Sequence, residues 1–209
     1  MTINHENLDK VLSSLDSHIN AKLLIVSKNR SVTDINELID KGFKLFGENR
    51  VQEAKSKFSN LDGLELHLIG PLQTNKVKDA LQLFNVIQSI DRKKLIDEIS
   101  KSKSKLEDIK TTSYYIQVNI GLEKQKAGID KLKVADLYEY ACKNNLKIDG
   151  LMCIPPNTIN PEPYFEEMIN IKNTINKNLK LSMGMSNDYL IALKHNSSLI
   201  RIGSLIFND

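Results

Sequence analysis

Short β-branched runs alternate with longer stretches of helical period from one end of this chain to the other, and few folds accommodate that rhythm. The pattern predicts strands over 23–27, 44–46, 65–69, 85–89, 114–120, 148–154, 179–183 and 198–202. Between them lie predicted helices. Leu8, Val11, Leu12, Leu15 and Ile19 share one face of the first. Asp34 reads as the N-cap of a second, with Ile35, Leu38 and Ile39 inside, and Asp91 as the cap of a helix burying Leu95, Ile96 and Ile99. Further helices are predicted over 50–58, 76–83, 133–144, 163–176 and 188–194. Parallel strands need crossovers, so this order implies a parallel sheet, and eight strands close a (β/α)8 (TIM) barrel. The last strand nears the end of the sequence, and the extra N-terminal helix fills the gap in the outer ring. An open doubly wound sheet ranks lower, because no GxGxxG follows the first strand. No linker or repeat divides the chain, so residues 1–209 read as a single α/β domain.

With 41% apolar residues the chain can build a proper core. A net charge of +3, made of many charges of both signs, gives no reason to expect nucleic-acid or membrane binding. The lysines at 101, 103 and 105 read as a solvated helix end. Cys142 and Cys153 are too few for a disulfide framework and read as core fillers. The four histidines form no HxxxH pattern, so no metal site is expected. The first residues lack a basic and apolar leader, and no run is long enough to span a bilayer. A cytoplasmic location is the expectation.

Lys28 stands at the C-terminal end of the first predicted strand, where a barrel carries its active site. It could be an ordinary surface lysine. At a barrel mouth it could also condense with an aldehyde. Free lysine has a pKa of about 10.4, so such a role calls for burial or a nearby guanidinium to favour the neutral amine. Barrels often bind phosphate at the loops after their last two strands. Here those loops contain Gly184, Met185 and Ser186, and Gly203 and Ser204. Glycine admits close approach of backbone N–H groups to an anion, and serine adds a hydroxyl. Arg201 lies within the last predicted strand and needs a buried partner, either a core carboxylate or an acceptor nitrogen on a ligand ring. An amine, phosphate loops and an arginine together suit pyridoxal 5′-phosphate (PLP). Asn49 can touch such a ligand or cap a helix, and His67 reads as a core histidine more readily than as a general base. Asn75 and Lys76 are candidates for the rim.

Seven segments carry a family pattern, in order and across nearly the whole chain: LLIVSKN (23–29), FGENRVQE (46–53), HLIGPLQTNK (67–76), QVNIGLEKQKAGI (117–129), GLMCIPP (150–156), LSMGMSND (181–188) and RIGSLIF (201–207). The chain resembles the YggS/PROSC family of pyridoxal phosphate homeostasis proteins. The resemblance implies a barrel similar to the N-terminal domain of alanine racemase, with Lys28 as the Schiff-base lysine. It places Ser186, Gly203 and Ser204 at the phosphate, Arg201 at the pyridine nitrogen, and Asn49, Met183, Gly184 and Met185 along the pocket. It further implies a non-catalytic, monomeric protein that buffers or delivers PLP, with apo PLP-dependent enzymes as recipients and an effect on amino-acid and keto-acid balance. A PLP-dependent amino-acid racemase is the alternative, and noncovalent binding of a phosphorylated metabolite is a third. The chain departs from the family pattern in Asn29 and Arg30 after the lysine, Leu66 where tryptophan is common, and Ser204 where threonine is common.

Overall fold

A computed structural model describes residues 3–207. Helix α1 (His5–Asp16) leads into β1 (Lys22–Val26), α2 (Val32–Asp40), β2 (Leu45–Glu48), α3 (Val51–Phe58) and β3 (Glu65–Leu68). A 3-10 turn (Thr74–Lys76) precedes α4 (Val77–Leu83), β4 (Val86–Ile90), α5 (Lys93–Lys103) and β5 (Ser113–Asn119). A two-residue strand, β6 (Ile129–Asp130), comes before α6 (Val134–Lys143), β7 (Ile148–Cys153), α7 (Glu162–Ile175), β8 (Lys180–Ser182), α8 (Tyr189–Lys194) and β9 (Leu199–Ile202).

The strands run β4-β3-β2-β1-β9-β8-β7-β5, and β4 also pairs with β5, so eight parallel strands close a barrel. The (β/α)8 expectation holds. β6 lies outside the ring count. It pairs with Val118 and Asn119 of β5, beyond the last β4 contact at Ile116, and so prolongs the ladder where β4 has ended. Two residues carry no periodicity, which is why the sequence pattern passes over them. The first helix packs Leu8 and Val11 into the main core, and the Asn4 N–H donates to the Ile206 carbonyl at 2.9 Å. That tie places it in the outer ring beside the segment after β9.

Alternation along the strands sorts the barrel into two regions. On β1, Leu23 and Ile25 join the core between strands and helices, with Ile35 and Leu38 of α2. Leu24 and Val26 face inward and pack with Ile69 and Leu199. Val86, Tyr115 and Met152 form a second inward cluster.

Several local expectations are corrected. Ser31, not Asp34, is the N-cap of α2; Asp34 is the return partner of a capping box, accepting from the Ser31 backbone and hydroxyl. Asp91 caps nothing, since α5 starts after Arg92 without a side-chain cap. Ile19 lies past the end of α1 and is exposed, as is Cys142, whereas Cys153 is buried. No helix among the described residues is long and apolar enough to cross a membrane.

Candidate functional site

The C-terminal ends of the strands surround a cavity of about 770 Å³. Seven of the residues assigned from sequence line it: Lys28, Asn49, Met185, Ser186, Arg201, Gly203 and Ser204. Met183 and Gly184 do not. Met183 is fully buried in the outer core. Gly184 shapes the loop instead: its φ of 94° is the left-handed region, an added Cβ would meet Ala192 at 2.6 Å, and its carbonyl accepts from the Arg201 N–H.

Lys28 lies two residues past the end of β1, after Ser27. Its side chain is exposed at the mouth, so of the two alternatives, burial or a nearby guanidinium, burial is not realised. Among the described residues its amine has no hydrogen-bond or ion-pair partner. The backbone on either side is held. Ser27 Oγ donates to Glu48 Oε1 at 2.7 Å, and Lys57 Nζ donates to the Ser27 carbonyl at 2.8 Å and to Glu48 Oε1 at 3.1 Å. Lys57 also reaches Glu53 Oε1 at 2.6 Å, and that same oxygen accepts from the Asn29 N–H at 2.5 Å. Asn29 itself has a φ of 59°, a conformation asparagine tolerates better than most residues. One lysine and two carboxylates on β2 and α3 thus fix the turn that presents Lys28. Burial pushes the Glu48 carboxyl up, against the bonds from Ser27 and Lys57. Burial also acts on Glu53, but its bonds from Lys57 and Asn29 prevail and hold it low.

Ser186 and Ser204 form a second corner. Ser186 Oγ accepts from Ser204 Oγ at 3.1 Å and from the Leu205 N–H at 3.3 Å. With both acceptor positions used, the Ser186 hydroxyl proton is left for an outside acceptor. At Gly203 an added Cβ would lie 3.0 Å from the Val26 carbonyl oxygen, so this turn lies tight against β1.

Arg201 forms the third corner. It is 3% exposed, and among the described residues no carboxylate lies within ion-pair distance. Nη1 donates to Ser182 Oγ at 2.9 Å and Nη2 to the Cys153 carbonyl at 2.7 Å. Burial pulls its pKa down, with Cys153 and Asp188 opposing. The core-carboxylate option is therefore not realised. Ser182 passes the contact on: its hydroxyl donates to Gln88 Oε1 at 2.7 Å, and Gln88 Nε2 lies 2.6 Å from His67 Nδ1. His67 is a core histidine with both ring nitrogens bonded, its Nε2 2.9 Å from Glu65 Oε1.

Asn49 is not the cap of α3, which starts after Arg50 without a side-chain cap, and it lines the cavity. An added Cβ at Gly70 would overlap the Asn49 backbone, which explains the glycine there. Asn75 and Lys76 do not line the cavity. Sequence reasoning assigned no role to Gln117, Lys126 or Arg30, all of which do. Gln117 Nε2 donates to the Ala127 carbonyl at 3.2 Å, while its buried Oε1 has no partner. A glutamine inside an apolar strand was the available signal. Lys126 Nζ donates to the Pro155 carbonyl at 2.9 Å and pairs with Glu123. Glu162, Glu166 and His195 come within 4.8 Å of one another but belong to the outer surface, away from the cavity.

The alanine racemase N-terminal domain family matches residues 3–209. A pyridoxal phosphate homeostasis protein of Aquifex aeolicus (strain VF5) is 40% identical over 200 residues, covering 90% of this chain and 87% of the relative. PipY of Synechococcus elongatus PCC7942, solved with PLP bound, superposes with a TM-score of 0.83 at 29% identity, covering 97% of this chain and 99% of that one. An alanine racemase of Clostridium difficile 630 shares the fold alone, with a TM-score of 0.75 at 13% identity over 100% of this chain and 60% of that one. A barrel closed by eight parallel strands, with its distinctive residues gathered at one mouth, thus has its kin among proteins of vitamin B6 handling, and the chain belongs to the pyridoxal phosphate homeostasis protein family.

Proposed function

We propose that the cavity holds PLP, joined to Lys28 as a Schiff base, and that the protein stores and hands on this cofactor. The observation that carries the reading is the convergence on one cavity of a partner-free lysine amine, a paired-serine corner with a spare hydroxyl proton, and a buried arginine. These groups match the aldehyde, the phosphate and the ring nitrogen of PLP. The unpartnered Gln117 Oε1 adds a buried acceptor awaiting a donor. When bound, PLP would supply an aldehyde able to condense with an amine. Lys28 would hold the ligand, Ser186 and Ser204 would seat its phosphate, and Arg201 would require the ring nitrogen to be an acceptor, because guanidinium only donates.

A non-catalytic role is favoured over racemisation. Two-base racemisation needs a proton acceptor on each side of the substrate plane. Among the described residues, the ionisable ones lining the cavity are Lys28, Arg30, Lys126 and Arg201. Beyond Lys28 the only amine is that of Lys126, which is already engaged by Pro155 and Glu123.

Borohydride reduction of the PLP-loaded protein followed by peptide mass analysis tests the linkage. A pyridoxyl group on Lys28, absent from Lys28→Ala, is the expected result; modification of another lysine in wild type would overturn it. Delivery is tested by comparing PLP arrival at an apo-enzyme with release into buffer, and faster direct transfer is expected.

A further inference from the structure

A continuous hydrogen-bonded chain crosses the barrel interior from the cofactor cavity to the opposite mouth. It runs from Arg201 on β9 through Ser182 on β8 and Gln88 on β4 to His67 and Glu65 on β3. Arg201, Ser182, Gln88 and His67 are all buried, whereas Glu65 is half exposed. Glu65 lines a cavity of about 530 Å³ at the N-terminal mouth, together with His67, Lys44, Tyr115, Asp149 and Lys180.

The chain has a direction. Arg201 donates to Ser182, Ser182 donates to Gln88, the Gln88 amide donates to His67 Nδ1, and His67 Nε2–H donates to Glu65. A fixed cation stands at the head and a carboxylate at the tail, with three neutral links between, an arrangement in which each bond polarises the next. The bond from His67 holds the Glu65 carboxyl below the usual range, against its burial. Burial in turn keeps the imidazole neutral, against Glu65, with Lys22 on β1 and Lys180 on β8 also disfavouring the cation. A neutral imidazole bonded to a carboxylate through Nε2–H must present a lone pair at Nδ1. That choice fixes the Gln88 amide, and the amide fixes the Ser182 hydroxyl so that its oxygen is free to accept from Arg201.

Without the tail charge nothing selects the tautomer. With the proton on Nδ1, Gln88 has to turn its carbonyl to His67 and its NH2 to Ser182. Ser182 Oγ then has to accept from Gln88 and Arg201 at once while its own proton loses the Gln88 carbonyl, so its bond to the guanidinium loses the polarisation the chain gave it and weakens beside the Cys153 contact.

We propose that Glu65 and His67 are positioning residues for the cofactor cavity, acting through Gln88 and Ser182 on Arg201. The proposal rests on the reading that this cavity takes PLP. It makes the grip on the cofactor ring depend on the charge at the far end of the barrel.

The test compares Glu65→Gln with Asp149→Asn, which removes a charge from the same mouth but lies outside the chain. In Glu65→Gln we expect PLP affinity to fall by about fivefold or more, the lower end of usual site-to-site coupling, while Asp149→Asn matches wild type. In a Ser182→Ala background, where the chain is already cut, Glu65→Gln should have no further effect. A second readout needs no cofactor. The ring 15N shifts of His67 should report one tautomer, protonated at Nε2, in wild type and a mixture in Glu65→Gln. Equal PLP affinities in Glu65→Gln and Asp149→Asn, or an unchanged His67 tautomer, would overturn the proposal. Failure of wild type to take up PLP would instead overturn the reading on which it rests.

Discussion

The carboxylate of Glu53 accepts the backbone N–H of Asn29 at 2.5 Å, from 24 residues away in the sequence. That N–H belongs to the residue immediately after Lys28, and Lys57 grips both Glu53 and the carbonyl of the residue immediately before it. Lys28 is therefore exposed as a side chain and constrained as a backbone. A free amine on a fixed turn keeps its reach while losing little order when a ligand is captured.

Glu53→Ala should loosen this turn. It leaves Lys57 with one carboxylate fewer and the Asn29 N–H without its acceptor. Hydrogen bonds to charged groups contribute about 1.5–3 kcal/mol, and the unfolding free energy should fall by roughly that amount. PLP uptake, followed by the growth of its absorbance on the protein, should slow in parallel. Uptake at the wild-type rate would show that the clamp serves stability alone.

Glu48 sits fully buried beneath the same turn, with Oε2 unpartnered. Burial raises its pKa, so the folded state holds the proton more tightly than the unfolded chain. The sign follows: its contribution to stability is complete below the ordinary carboxylate value and is lost as pH rises through the raised one. Glu48→Gln keeps the shape without the titration. Urea unfolding from acid to neutral pH should show a shallower decline for this variant than for wild type, and identical slopes would count against burial as the dominant cause.

His67 should act in the opposite sense. Burial lowers its pKa, although Glu65 pulls the other way. The folded protein keeps it neutral while the unfolded chain takes up a proton. Its contribution is therefore present above the ordinary histidine value and lost as pH falls toward the lowered one. By NMR the His67 ring signals should stay constant through the range where a free imidazole titrates. A shift at the ordinary value would mean that burial does not hold the ring neutral.

The barrel was legible because each strand announces itself locally, by an apolar run of the right length between helical stretches. Lys28 and the serine loops were legible for a related reason: the fold sends strand ends to one mouth, so position along the chain converts to position in space. What escaped depends on pairs far apart. Lys57 looks like any surface lysine on an amphipathic helix, and only the fold lays it against Ser27. Gln88, beside Ser89 in β4, and His67, two residues from Glu65 in β3, are short polar interruptions of apolar strands. Their meaning comes from an alignment across the barrel that no local pattern encodes. Met183 failed as a pocket residue by strand parity. The segment it shares with Gly184 and Met185 reaches the mouth, but its own side chain points to the helices.

Loss of PLP should loosen the two loops that bear the paired serines. Ser186 follows β8 and Ser204 follows β9, and at present two weak contacts join them, from Ser204 Oγ at 3.1 Å and from the Leu205 N–H at 3.3 Å. A phosphate accepting from Ser186, and from Ser204 once that proton turns away from Ser186, would join the same loops by a charged link, and a ligand that binds only the folded state stabilises what it bridges. Amide hydrogen exchange over 184–188 and 203–206 should therefore slow on loading with PLP, while exchange in α5, which does not line the cavity, should not respond beyond the global gain. In Ser186→Ala the slowing should shrink, because the hydroxyl proton that now lacks an acceptor is gone. Equal exchange in these loops with and without ligand would place the phosphate elsewhere in the cavity.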